Sequence, residues 1–64
     1  MINKEDILTK LSEELNSREL QIVDKYVDIF LSNRRYADLA EFLDRNEYTE
    51  DDEFIDYLKS LGNN

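Results

Sequence analysis

The chain has 64 residues, no cysteine, no histidine, and sixteen acidic against eight basic side chains, for a net charge of −8. This excludes disulfide staples, thiolate nucleophiles, imidazole bases and the usual zinc ligands, and it leaves room for a single domain that hides only ~60% of the surface its unfolded form exposes. Apolar residues at 41% and aromatics at 11% argue against a disordered acidic tail, and the longest apolar run, Ile29 to Leu31, falls far short of the ~20 residues of a membrane span.

With one glycine and no proline, helix ends must be read from capping residues. Asn3 caps the first expected helix, with Asp6 at its N3 position, and Ile7, Leu8, Leu11 and Leu15 form one stripe, so this helix should end near Leu15. Asn16 or Ser17 caps the second; counted from Asn16, Glu19 falls at the capping-box position. This helix runs to about Ser32. Its residues Leu20, Ile22, Val23, Tyr26, Val27, Ile29, Phe30 and Leu31 sweep an arc of ~200°, which marks a central element. The arc can be covered within one subunit, or part of it can meet a second copy, in which case Ile22 and Ile29 at its edge form the seam of a homodimer.

Asn33 predicts a break and a third helix over Arg34 to Arg45, with Tyr36, Leu39, Ala40 and Leu43 on one stripe and Glu41 paired with Arg45. The alternative is that the second and third helices continue as one. Asn46, Glu47 and Tyr48 form a polar connection, Thr49 caps a fourth helix with Asp52 at N3, Phe54, Ile55, Leu58 and Leu61 face inward, and Gly62 supplies the stop. No stretch shows sustained period-two alternation. The expected fold is therefore all-α, a small bundle of three to four short helices with a helix-turn-helix-like C-terminal half.

The charge is unevenly placed. Residues 1 to 37 hold seven acidic and six basic side chains, whereas residues 38 to 56 carry Asp38, Glu41, Asp44, Glu47, Glu50, Asp51, Asp52, Glu53 and Asp56 against Arg45 alone. Carboxylates at the start of the fourth helix complement its dipole, but that accounts for only three or four of the nine. The rest repel one another, as a solvated face or as a surface built for a basic partner. On the second reading the contact residues are Asp38, Glu41, Asp44, Glu47, Asp52, Glu53 and Asp56, with Phe42 and Tyr48 as aromatic anchors inside the acidic field or as ordinary packing residues.

Three other readings fail. The helix-turn-helix outline would need Arg, Lys, Asn or Gln early in its second helix to read DNA, and Glu50 to Glu53 stand there instead, so direct nucleic-acid binding is not expected. An EF-hand begun at Asp44 puts Tyr48 at position 5, Thr49 where glycine is required and Ile55 at position 12. Paired carboxylates doing acid–base work would need a dry pocket that so short a helical chain has little volume to build. The expectation is a protein that is not an enzyme, needs no cofactor or metal, and avoids membranes. Met1 to Glu5 leads into a charged amphipathic segment, unlike a secretory signal, so a cytoplasmic location is expected.

In size and charge the chain resembles the small acidic helical proteins that phages and mobile elements encode against restriction or CRISPR nucleases and transcription factors. The resemblance implies an inhibitor acting as a DNA mimic on a basic, nucleic-acid-binding protein. Two alternatives remain: a helical homodimeric adaptor, and an antirepressor-like regulator built on a degenerate helix-turn-helix.

Overall fold

A computed structural model describes residues 2–62; Met1, Asn63 and Asn64 lie outside the described residues. The described chain is all helical, a small bundle of α1 (Lys4–Leu11), α2 (Ser17–Ser32), α3 (Tyr36–Arg45) and α4 (Asp52–Gly62). Helices adjacent in sequence pack together, α1 on α2, α2 on α3 and, most extensively, α3 on α4, whose pairing across residues 46–51 gives the C-terminal half its helix-turn-helix character. Ile7, Leu11, Val23, Val27, Leu39, Ala40, Leu43, Ile55 and Leu58 form the buried core.

The first two caps are as the sequence requires. The Asn3 side chain accepts from the Asp6 amide at 2.9 Å. Asn16 and Glu19 form both arms of a capping box at 2.9 and 3.1 Å, which makes Asn16 the cap and Ser17 the first helical residue. However, α1 ends one turn before Leu15. The Ser12 hydroxyl donates to the Thr9 carbonyl at 2.6 Å, and the Glu13 and Glu14 amides donate to carbonyls three residues back, which tightens the chain into a turn. Leu15 still bonds to the Leu11 carbonyl and remains half-buried.

The break after α2 is real, and it is made without glycine. Arg34 adopts φ 54°. The Arg35 amide donates to the Phe30 carbonyl at 2.8 Å and the Arg34 amide to that of Leu31 at 3.1 Å, the pair of bonds that defines a Schellman closure. The apolar contact that usually accompanies this closure is here a guanidinium: Arg35 lies over the Phe30 ring, 5.5 Å from its centroid. The same device ends α3. Glu47 has φ 56°, Tyr48 donates to Leu43 at 2.9 Å, and Glu47 donates to Asp44 at 3.1 Å. In both turns the preceding asparagine, Asn33 or Asn46, returns its side-chain amide to the carbonyl four residues back, at 2.7 and 2.8 Å. Because Arg34 and Arg35 are spent on the turn, α3 starts at Tyr36 and not at Arg34.

Two terminal assignments change at α4. Its cap is Asp51, whose Oδ1 accepts from the Phe54 amide at 3.1 Å, while Thr49 is withdrawn into the interior at 6% exposure. Gly62 is the last residue of α4 and has no positive φ. A Cβ there would stand 2.6 Å from the Ala37 nitrogen and 2.7 Å from the Ala37 Cβ, so the glycine serves the close approach of α4 to the start of α3.

The breadth of the apolar arc on α2 overstates how central that helix is. Only Val23 and Val27 on it are fully buried, and Ile22, Tyr26 and Ile29 stay about half exposed, since α2 packs against α1 and α3 but not α4.

A left-handed residue other than glycine costs about 1–2 kcal/mol. Arg34→Gly should therefore raise the urea unfolding free energy by roughly 0.5–1 kcal/mol, a gain reduced by the lost Arg34 side chain and the added freedom of the unfolded chain. Gly62→Ala should act in the opposite sense to helix propensity. Alanine is favoured by about 1 kcal/mol in a helix, but the clash with the Ala37 backbone should prevail and lower the thermal midpoint, as overpacking by about 1–3 kcal/mol does.

Candidate acidic interaction surface

The acidic connection between α3 and α4 is shaped by a residue far from it in sequence. Glu14, in the turn after α1, accepts from the Thr49 hydroxyl at 2.6 Å through one carboxylate oxygen and from the Glu50 amide at 3.1 Å through the other. The Thr49 hydroxyl oxygen in turn accepts from the Asp51 amide at 3.1 Å. Lys10 reaches the Asp51 carboxylate at 2.7 Å. The burial of Thr49 thus satisfies its hydroxyl twice over and leaves the Glu50 side chain in solvent.

The nine acids of residues 38 to 56 fall into two groups. Asp38 is paired with Arg35, Glu41 with Arg45 and Asp51 with Lys10, each at 2.7 Å. Asp44, Glu47, Glu50, Asp52, Glu53 and Asp56 are exposed and have no ion-pair partner among the described residues. Asp44, Glu47, Glu50 and Asp52 rim one open depression floored by Thr49. Asp38, Glu41 and Phe42 line a different one, shared with Phe30, Arg35, Arg45 and Asn46, where arginines offset the acids. Glu53 and Asp56 lie on α4 and border neither depression.

Of the residues expected at the surface, the structure brings together Asp44, Glu47 and Asp52, and it adds Glu50. The adjacent position of Glu50 in a run of four acids suggested a helix-dipole role; its place on the rim follows from the fold of the Thr49 loop. Phe42 and Tyr48 are half-buried in a row of rings. Phe42 lies 4.7 Å from Tyr26, 5.7 Å from Phe30 and 5.6 Å from Tyr48, centroid to centroid. These distances suit tilted aromatic packing that ties α2 to α3 and to the loop.

Lys10 holds the Asp51 carboxyl below its ordinary value, helped by the Phe54 amide, and the same pair raises the Lys10 ammonium. Lys4 is raised by Asp24 and Asp28, both of which its ammonium bridges from α1 to α2. Among the described residues no three carboxylates converge in the manner of metal ligands. What the rim offers chemically is unneutralised, hydrated negative charge at the mouth of a shallow basin, suited to ammonium and guanidinium groups.

No protein-family model, curated protein or solved structure matches this chain. No helix among the described residues is long and apolar enough to cross a membrane.

Since the carboxyl of Asp51 is depressed in the folded state, its contribution to stability is present above the ordinary carboxylate value of ~3.9 and is lost as pH falls through the folded value. Asp51→Asn keeps a cap acceptor but removes the charge. The variant should be less stable than the parent at neutral pH, and the gap should close as the pH falls below the ordinary carboxylate value in acid-unfolding curves.

Proposed function

We propose that this protein is a small acidic inhibitor or regulator that seats the carboxylate rim of the α3–α4 connection on the basic surface of a nucleic-acid-binding protein, such as a nuclease or transcription factor, and so competes with its nucleic acid. The observation that carries this reading is the placement of Asp44, Glu47, Glu50 and Asp52, none of them ion-paired, around one open depression whose lining holds no lysine or arginine, while three other acids of the same region are paired. Mutual repulsion at the rim gives nothing to the fold, and a cationic partner relieves it. Exposed carboxylates of this kind add less to affinity by burial than to rate and selectivity: they steer a basic surface into contact and disfavour an acidic one.

Because they remain hydrated, the association depends on ionic strength, with screening over about 8–10 Å at moderate salt. A nucleic-acid groove lined by lysine and arginine is the protein surface most densely supplied with the complementary charge. On this reading Asp44, Glu47, Glu50 and Asp52 are the centre of the contact set and Glu53 and Asp56 add to the field from α4, while Phe42 and Tyr48 are packing residues outside the basin.

Immobilised protein should retain nucleic-acid-binding proteins from a lysate of its native host at low ionic strength, and duplex DNA in solution should release them. Asp44→Lys with Glu50→Lys changes two exposed side chains outside the helix caps and should weaken retention by at least about tenfold. Retention that survives both the double reversal and competing duplex would refute the reading.

A further inference from the structure

Three of the four large exposed apolar side chains lie on one stripe of α2, where Ile22, Tyr26 and Ile29 are 45%, 44% and 53% accessible. Their spacing of four and three residues puts them on a single helical face. They line a shallow depression together with Gln21 and Lys25. The stripe is pre-shaped as well as exposed, because the Tyr26 ring is braced from behind by Phe42 at 4.7 Å.

The charges on α2 are sorted around this stripe. Its acids are occupied: Asp24 and Asp28 bind Lys4, and Glu19 closes the capping box. Its bases are not. Arg18 and Lys25 form no ion pair among the described residues, in a chain whose acids outnumber its bases two to one. At ~100° per residue both fall on the same flank of the stripe, seven residues and thus about 10 Å apart along the axis.

From this charge arrangement we propose that α2 carries a second docking surface, independent of the acidic rim, whose occupant is an acidic amphipathic helix of a partner protein. The partner helix would lay an i, i+3/i+4, i+7 apolar stripe on Ile22, Tyr26 and Ile29 and present two carboxylates, about seven positions apart, to Arg18 and Lys25. A second copy of this chain fits less well. An antiparallel two-fold pairing of α2 aligns the cationic flanks with each other, it brings together two bodies of net charge −8, and an apolar stripe two turns long falls short of the roughly 800 Å² per partner of a stable dimer. With the acidic rim on the α3–α4 connection, the molecule then has two faces of opposite electrostatic preference.

The test uses the intact protein, isotopically labelled, with two synthetic helical peptides that share one leucine stripe; one carries glutamates seven apart on its flank and the other lysines at the same positions. The glutamate peptide should shift amides of Arg18 to Ile29, and its affinity should fall at least about tenfold on Ile22→Ser with Ile29→Ser and several-fold on Arg18→Glu with Lys25→Glu. Unchanged circular dichroism and thermal midpoints in these surface variants confirm that the fold is retained. The lysine peptide should leave α2 unshifted. Glutamate-peptide shifts that miss α2, or that ignore both double variants, overturn the proposal. So does concentration-dependent shifting of the same amides without peptide, together with a dimer in sedimentation, since the second copy would then own the stripe. None of these results bears on retention by the acidic rim, which Asp44→Lys with Glu50→Lys reads separately.

Discussion

The grip of Glu14 on Thr49 and Glu50 is the contact on which the arrangement of the acidic connection depends. One carboxylate oxygen takes a hydroxyl, the other takes a backbone amide, and together they turn a polar connection inward at Thr49. Everything around that point is arranged as a result: Asp51 is delivered to the start of α4 as its cap, within reach of Lys10, and Asp44, Glu47, Glu50 and Asp52 are left facing water around the buried threonine. An acid that would otherwise add to the crowding of negative charge is thereby used as the acceptor that organises the rest.

How much of this was legible beforehand follows from the range of the interactions involved. Local ones were readable. The Asn3 cap, the Asn16–Glu19 capping box, the break at Asn33 and the inward stripes of α3 and α4 are set by residues within four positions of one another, and each is found where the sequence puts it. The failures are the places where a distant or backbone-level contact overrides a local signal. Thr49 has every local qualification for a cap but is claimed by Glu14, and Asp51 takes the role. Gly62 reads as a stop, yet its lack of a side chain is required by Ala37, a constraint that exists only after α4 has folded back on α3. The left-handed residues Arg34 and Glu47 carry no sequence signature at all, since such positions ordinarily announce themselves as glycine.

For the surface, the legible part was the amount of charge and the illegible part was its compensation. Counting acids identified residues 38 to 56 and spacing gave the Glu41–Arg45 pair, but only the structure distinguishes Asp38 and Asp51, which also have cationic neighbours, from the unpaired residues of the rim. Likewise, helical spacing marked Ile22 and Ile29 as the edge of an apolar arc; that Tyr26 joins them, and that Arg18 and Lys25 stand beside them unpaired, follows from which neighbours α2 has and which it lacks.

The packing of each helix on the next in chain order bears on how the molecule comes together in time. Each of α1–α2, α2–α3 and α3–α4 can dock through a short intervening turn, so little loop-closure entropy has to be overcome before native contacts form, and a bundle of this kind belongs with the rapid folders. The link from Glu14 to Thr49 spans 35 residues and has no such advantage. Closing it brings the turn after α1 up to the α3–α4 connection across that length of chain, so the shape of the acidic rim depends on the docking of the whole bundle and not on any one helical pair.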